Sequence, residues 1–259
     1  MTRFSRETLQ SIHRASELIA RSHRVVVLTG AGISTPSGIP DFRSPGIGLW
    51  TRFLPMEVAS LSAFRYNPEQ FYKWLHPLAI RMVSAEPNPA HIALAEMQNA
   101  GHLASIITQN IDGLLTRAGA KDVLEVHGTL NTLTCIQCFQ QVSSAGIIQE
   151  YIEHCTIPRC PSCGEILKPD VILYEEQLPV KTWLKAEEAC KKSDLMLIAG
   201  TSLEVMPSAR LPILALDQGA KLVVINHAET YIDVRAEVLI HENVAEIIPR
   251  VCAEVLHSK

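Results

Sequence analysis

Five short runs of this 259-residue chain are apolar at nearly every position: Val25 to Thr29, Ser105 to Thr108, Leu195 to Ala199, Leu222 to Ile225 and Val238 to Ile240. A strand with one wet face alternates apolar and polar residues. A strand that is apolar throughout is covered on both faces, as in a parallel sheet. Between these runs the apolar residues recur at helical spacing. Leu9, Ile12, Leu18 and Ile19 share one face, and Asn88-Pro89 predicts the start of a helix that Gly101 stops. Asn243 caps a last predicted helix carrying Val244, Ile247, Val251 and Val255, bent by Pro249. Strands alternating with helices predict an α/β doubly wound parallel sheet.

Two regions break the rhythm. Residues 44–87 hold aromatics and helical fragments without a clear strand, and residues 129–168 hold two cysteine pairs. Both read as insertions that come together as a smaller module. The sheet domain then takes residues 1–43, 88–128 and 169–259. Its strands end in polar sequence: Thr29-Gly30-Ala31-Gly32, Thr108-Gln109-Asn110-Ile111-Asp112-Gly113, Gly200-Thr201-Ser202 and Asn226-His227-Ala228-Glu229. Ligands of open α/β sheets bind beyond the carboxyl ends of the strands, so four such endings on one edge describe a site.

Composition narrows the class. The chain is 47% hydrophobic and 19% charged with a formal net charge of −4, an ordinary globular balance that lacks the basic face of a nucleic-acid binder. The N-terminal segment has no apolar core of signal-peptide length, and no stretch approaches the roughly 18 apolar residues of a membrane span. The seven cysteines are odd in number, and four stand as two C-x-x-C pairs, a pattern that favours metal over disulfides. These features point to an intracellular protein.

Gly30-Ala31-Gly32 lets the backbone turn tightly and approach a ligand with no Cβ in the way. A helix starting near Ile33 or Ser34 would aim its free N–H groups at a phosphate there. The strict G-x-G-x-x-G fingerprint fails, because Thr35 stands at the third glycine, so a plain structural turn is the competing reading. Beside such a cradle, Arg43 of Asp41-Phe42-Arg43 has an anionic partner. Cys135, Cys138, Cys160 and Cys163 form two knuckles separated by residues 139–159, able to close a four-thiolate zinc site whose lack of an open position makes it structural. Cys155 is near enough in sequence to replace Cys160, and a zinc ribbon can also serve as a binding module. His127 lies between the sheet domain and the cysteine module, where clefts form, and histidine is the natural base at neutral pH.

Taken together and in order, these segments resemble the sirtuins, NAD-dependent protein-lysine deacylases. The matching residues are Gly30 to Ser34, Ser37 to Arg43, Thr108 to Leu114, His127-Gly128, both cysteine pairs, Gly200 to Val205 and Asn226. The resemblance implies a Rossmann-like domain that takes NAD as a consumed co-substrate, and one structural zinc ion. It implies that Gly30, Ser34, Gly200, Thr201 and Ser202 line the phosphate and adenosine path, with Ala31 at the nicotinamide pocket. Asn226 would hold the adenine ribose and Gln109 the nicotinamide ribose. Ile39, Asp41, Asn110, Ile111 and Asp112 would form the nicotinamide pocket, Phe42 would shield the ribose and Arg43 would meet the phosphates. His127 would be the general base, with Asn110 beside it as the second catalytic residue. The products would be lysine, nicotinamide and 2′-O-acyl-ADP-ribose.

Acyl-lysine proteins are the implied partners, their backbone pairing as a strand between Val171–Glu175 and Glu204–Met206; no nucleic acid or membrane is expected, oligomeric state is left open, and the location is cytoplasmic. Two departures stand out. Relatives that remove succinyl or malonyl groups carry Tyr-x-x-Arg, whereas Tyr72 here is followed by Leu75 at the arginine position. Neutral acyl groups are therefore expected, acetyl first and longer apolar chains after it. Leu173-Tyr174-Glu175-Glu176-Gln177 also replaces the more common aromatic-Gly-Glu. Mono-ADP-ribosyl transfer from the same NAD site is the rival activity.

Overall fold

The computed structural model describes residues 4–44, 46 and 48–257. Its strands are β1 (Val25–Thr29), β2 (Leu103–Thr108), β3 (Leu124–Glu125), β4 (Gly128–Cys135), β5 (Gln141–Ser143), β6 (Leu167–Val171), β7 (Leu195–Ala199), β8 (Lys221–Ile225) and β9 (Val238–Ile240). Its helices are α1 (Arg6–Arg21), α2 (Pro55–Val58), α3 (Leu61–Tyr66), α4 (Pro68–Ser84), α5 (Pro89–Asn99), α6 (Leu114–Arg117), α7 (Ile148–His154), α8 (Val180–Lys191), α9 (Leu211–Leu216) and α10 (Val244–His257).

The five expected apolar runs form β2, β1, β7, β8 and β9 of one six-stranded sheet, with the short β3 at its edge. Every pairing in it is parallel. The pleat sorts each run between two cores. Val25 and Val27 pack with Ile12, Leu94 and Val251 under α1, α5 and α10. Val26 and Leu28 pack with Ala186, Cys190 and Leu211 under α8 and α9. Burying each such Val, Leu or Ile is worth about 1.5–3 kcal/mol, which is why these runs are apolar on both sides. The caps follow the sequence. Asn88 Oδ1 accepts from Ala90 N at 2.9 Å with Pro89 in the first turn, and Asn243 Oδ1 accepts from Ala245 N at 2.9 Å.

The smaller module pairs β5, β4 and β6 antiparallel. The predicted boundaries at 128 and 169 fall in its strands, since β4 begins at Gly128 and β6 runs to Val171. The helical insertion carries α2, α3 and α4, and its apolar face (Phe64, Phe71, Tyr72, Leu75) shares a core with Leu114, Tyr151 and Leu173. Two tyrosines fasten it to the small sheet: the Tyr72 hydroxyl donates to Leu167 O, and the Tyr151 hydroxyl donates to Tyr72 O. Among the described residues no helix is long and apolar enough to cross a membrane.

Candidate active site

A cavity of about 1190 Å³ opens beyond the carboxyl ends of β1, β2, β7 and β8, walled on its far side by α4 and the segment after β6. The loops after β1 and β7 interlock beneath it. Gly32 N donates to Gly200 O at 2.8 Å and Gly30 N to Ala199 O at 3.3 Å. No side chain fits between them: a Cβ on Gly32 would lie 2.8 Å from Gly200 O, and one on Gly200 would lie 2.4 Å from Ile33 N. Gly200 also has φ of +62°, a left-handed backbone open to glycine at no steric cost. The glycines therefore serve the close approach of one loop to the other, where the sequence reading had them make room for a ligand. The expected helix after Gly32 is absent. Two 3-10 turns, Ala31–Ile33 and Thr35–Ser37, stand there instead. The N–H groups of Gly32, Ile33 and Ser34 are taken by Gly200 O, Gly30 O and Ala31 O, so no helix dipole faces the cavity from this loop.

A buried polar chain runs below the same loop. Asn88 N donates to His91 Nδ1 at 3.2 Å, which leaves the ring proton on Nε2, 3.3 Å from Ser34 Oγ. Ser34 Oγ donates to Asp112 Oδ2 at 2.7 Å and accepts from Asn110 Nδ2 at 3.0 Å. Asp112 Oδ1 takes Leu114 N at 2.9 Å. Burial of His91 pulls its pKa down to about 4, against the opposing pull of the Asp112 carboxylate. The ring stays neutral, and the chain keeps one direction of donation. His91 was not singled out from the sequence. Its only sign was a place three residues after Asn88, where its ring completes the helix cap.

His127 lines the cavity next to this chain. Its Nδ1 lies 3.1 Å from Gln109 O. A carbonyl can only accept, so Nδ1 carries the proton and Nε2 is left with its lone pair. Burial lowers the His127 pKa, the Gln109 carbonyl opposes that, and Arg43 adds to it. The ring is a neutral base at neutral pH. Gln109 Nε2 donates to Thr201 Oγ1 at 2.9 Å, tying the ends of β2 and β7 together.

Ala31, Ile39, Ile111, Gly200, Ser202 and Asn226 also line the cavity. Asn226 Nδ2 donates to Ala228 O at 2.6 Å, leaving Oδ1 for a ligand. Two expected ligand contacts are engaged within the protein. Asp41 Oδ1 accepts from Arg43 N at 3.1 Å and Ser44 N at 2.8 Å, folding the loop on itself. The Arg43 guanidinium pairs with Glu204 at 3.0 Å. Phe42 packs on Trp50 with centroids 5.1 Å apart, and Trp50 stacks on Trp74 at 6.1 Å. This aromatic wall joins the loop to α4, and no sequence pattern had marked it.

The four cysteines of the two knuckles gather in the small module, their sulfurs all within 4.8 Å of one another. Cys135 and Cys163 lie 3.5 Å apart, and Cys138 and Cys160 lie 3.6 Å apart. A tetrahedral zinc with Zn–S of about 2.3 Å separates its sulfurs by about 3.8 Å, so the donor set and its spacing fit zinc. Cys155 stays exposed at the end of α7, outside the cluster.

The Sir2 family model matches residues 30–207. The chain belongs to the Sir2 family. It is 41% identical over 245 residues to an NAD-dependent protein deacylase 2 of Archaeoglobus fulgidus, covering 94% of this chain and 96% of that protein. A structure on the mechanism and regulation of Sir2 enzymes superposes with a TM-score of 0.88 at 40% identity, covering 96% of this chain and 99% of that one. A Sir2Tm structure bound to a propionylated peptide superposes with a TM-score of 0.84 at 34% identity, covering 94% and 98%.

Two departures of this Sir2 chain now have a physical account. Tyr72 does not face the cavity, because its hydroxyl is committed to Leu167 O, while Leu75 at the arginine position does line it. Of the Tyr-x-x-Arg pair, the tyrosine is turned to the small sheet and the arginine position is held by Leu75. Glu175 stands with φ of +73°, the backbone that suits the more common glycine. Its carboxylate accepts from Ser62 N at 2.8 Å, fastening the turn to the helical insertion. Leu173 N donates to Glu176 Oε2 at 2.9 Å.

Proposed function

We propose that this Sir2-family protein removes neutral acyl groups, acetyl first, from protein lysines with consumption of NAD, releasing nicotinamide and 2′-O-acyl-ADP-ribose. The carrying observation is that His127, neutral and with Nε2 unprotonated, shares one cavity with the Ser34–Asn110–Asp112 chain. NAD supplies an electrophilic ribose carbon for the acyl oxygen, with nicotinamide as leaving group. The interlocked loops of Gly30–Gly32 and Gly200 form the floor on which its phosphates lie. Asn226 offers Oδ1 to a ribose hydroxyl. Asp112, its carboxylate oriented by Ser34 and Leu114 N, accepts from a carboxamide NH₂. His127 takes a proton from a ribose hydroxyl at Nε2. Arg43 leaves Glu204 for the phosphates, an exchange of one anion for another.

Apolar side chains line the α4 side of the cavity, including Phe71, Leu75, Leu78 and Met82, which supports acetyl and longer neutral chains over succinyl. Four of the seven cysteines gather as a cluster that fits zinc, a use of cysteine that goes with a reducing compartment, and the location proposed is the cytoplasm. The test is mass-spectrometric turnover of an acetyl-lysine peptide, with and without NAD, by the wild type and His127→Ala. NAD-dependent loss of acetyl with acetyl-ADP-ribose formed, abolished in the variant, is the expected result. NAD consumption with the peptide still acetylated and protein ADP-ribosylated would replace this reading with mono-ADP-ribosyl transfer.

A further inference from the structure

Ser208 is fully buried in the 3-10 turn that follows the β7 loop. Its hydroxyl lies 2.8 Å from Val205 O, 3.3 Å from Gln109 Oε1 and 3.4 Å from His127 Nε2. A serine hydroxyl has one hydrogen and two lone pairs. Val205 O and Gln109 Oε1 can only accept, so the hydrogen goes to that side, chiefly to the nearer carbonyl. The lone pairs are left facing His127 Nε2. In the resting ring Nε2 is also a lone pair, because Nδ1 donates to Gln109 O. The contact is then idle. When Nε2 takes a proton, the same contact becomes a hydrogen bond from a cation to an oxygen already polarised by its own donation.

We propose that Ser208 is a positioning residue for His127, accepting a hydrogen bond from Nε2 once that nitrogen has taken a proton. It touches the ring and not the substrate, since His127 lines the cavity and Ser208 is fully buried behind it. In the reaction step the proton passes from the substrate hydroxyl to Nε2, and Ser208 keeps its own. The separation of 3.4 Å is long for such a bond, as base contacts often are before substrate binds. The charged groups around the ring are Arg43 with its partner Glu204, Asp41 and Asp112 across the cavity, and Glu125 two residues upstream. None of them hydrogen-bonds the imidazole among the described residues, so Ser208 and Gln109 are its polar partners. The proposal rests on His127 as the base.

The experiment is a histidine-selective NMR titration of the zinc-loaded full chain. The His127 signal is assigned by its loss in His127→Gln, and wild type is compared with Ser208→Ala and Ser208→Cys. Removing a hydrogen bond made to the charged form lowers the pKa of His127, here by about one unit or tenfold in proton affinity. Ser208→Cys keeps the volume but offers a poorer acceptor, and shifts the same way by less. It decides the matter alone if the alanine variant does not fold. The acid limb of kcat/KM moves to lower pH with the titration, and kcat falls roughly tenfold with KM for NAD unchanged. An unmoved or raised His127 titration overturns the proposal, and so does lost activity with an unmoved titration, the outcome of a packing role. Full turnover by His127→Gln would sink the base reading instead, whatever Ser208 does to the titration.

Discussion

The buried imidazole of His91 makes a quantitative claim about acid stability. In the fold its pKa is held near 4, against an ordinary 6.5. Between those values the unfolded chain binds a proton that the folded chain refuses, so stability is lost as pH falls, from about 6.5 down to about 4. Integrating over the descent from about pH 7.5 to about pH 5 gives a loss of about 2 kcal/mol from this one ring. His91→Gln is the control. A glutamine can accept from Asn88 N and donate to Ser34 Oγ, yet it does not titrate. Urea unfolding of both proteins in zinc-buffered solution, followed by tryptophan fluorescence at each pH, isolates the term as the difference between the two curves. The wild type should lose about 2 kcal/mol more than the variant over this range. Curves that run parallel within about 0.5 kcal/mol, near the error of such extrapolations, would refute the buried-neutral assignment and with it the fixed direction of donation toward Asp112.

Three further outcomes are expected. Atomic emission should find one zinc per chain, lost in Cys160→Ser and kept in Cys155→Ser; retention by the first variant would mean a different ligand set. Gly200→Ala forces a Cβ to 2.4 Å from Ile33 N at a left-handed φ, and should destabilise by about 2–4 kcal/mol while abolishing NAD binding by calorimetry; near-wild-type binding would contradict the interlocked loops. Leu75→Arg should cut deacetylation at least tenfold and raise activity on succinyl-lysine from nothing to detectable, only weakly because the Tyr72 hydroxyl stays with Leu167 O; no gain on succinyl-lysine would move acyl selection away from Leu75.

Much of this was readable in the chain because the signals are local. Five doubly buried strands declare themselves by unbroken apolar runs, since a residue covered on both sheet faces has no position left for polar side chains. Two C-x-x-C knuckles declare a metal through ligand spacing alone, and Asn88-Pro89 declares a helix start through its own backbone. What tertiary structure alone decided are relations between segments far apart in sequence. A helix was expected to start near Ile33 or Ser34, but Gly200 O takes the Gly32 N–H and the segment folds as two short turns. Tyr72 matched the tyrosine of Tyr-x-x-Arg by position alone, but the small sheet claims its hydroxyl. Knuckle spacing favoured Cys160 with Cys155 as its rival, and folding brought Cys160 to the other three sulfurs. His91 and Ser208 were silent, because a lone histidine or serine acquires a role only from the partners that other elements bring to it. Periodicity and spacing record which groups must be buried or ligated; which donor meets which acceptor is fixed only when the strands align and the loops at their ends interlock.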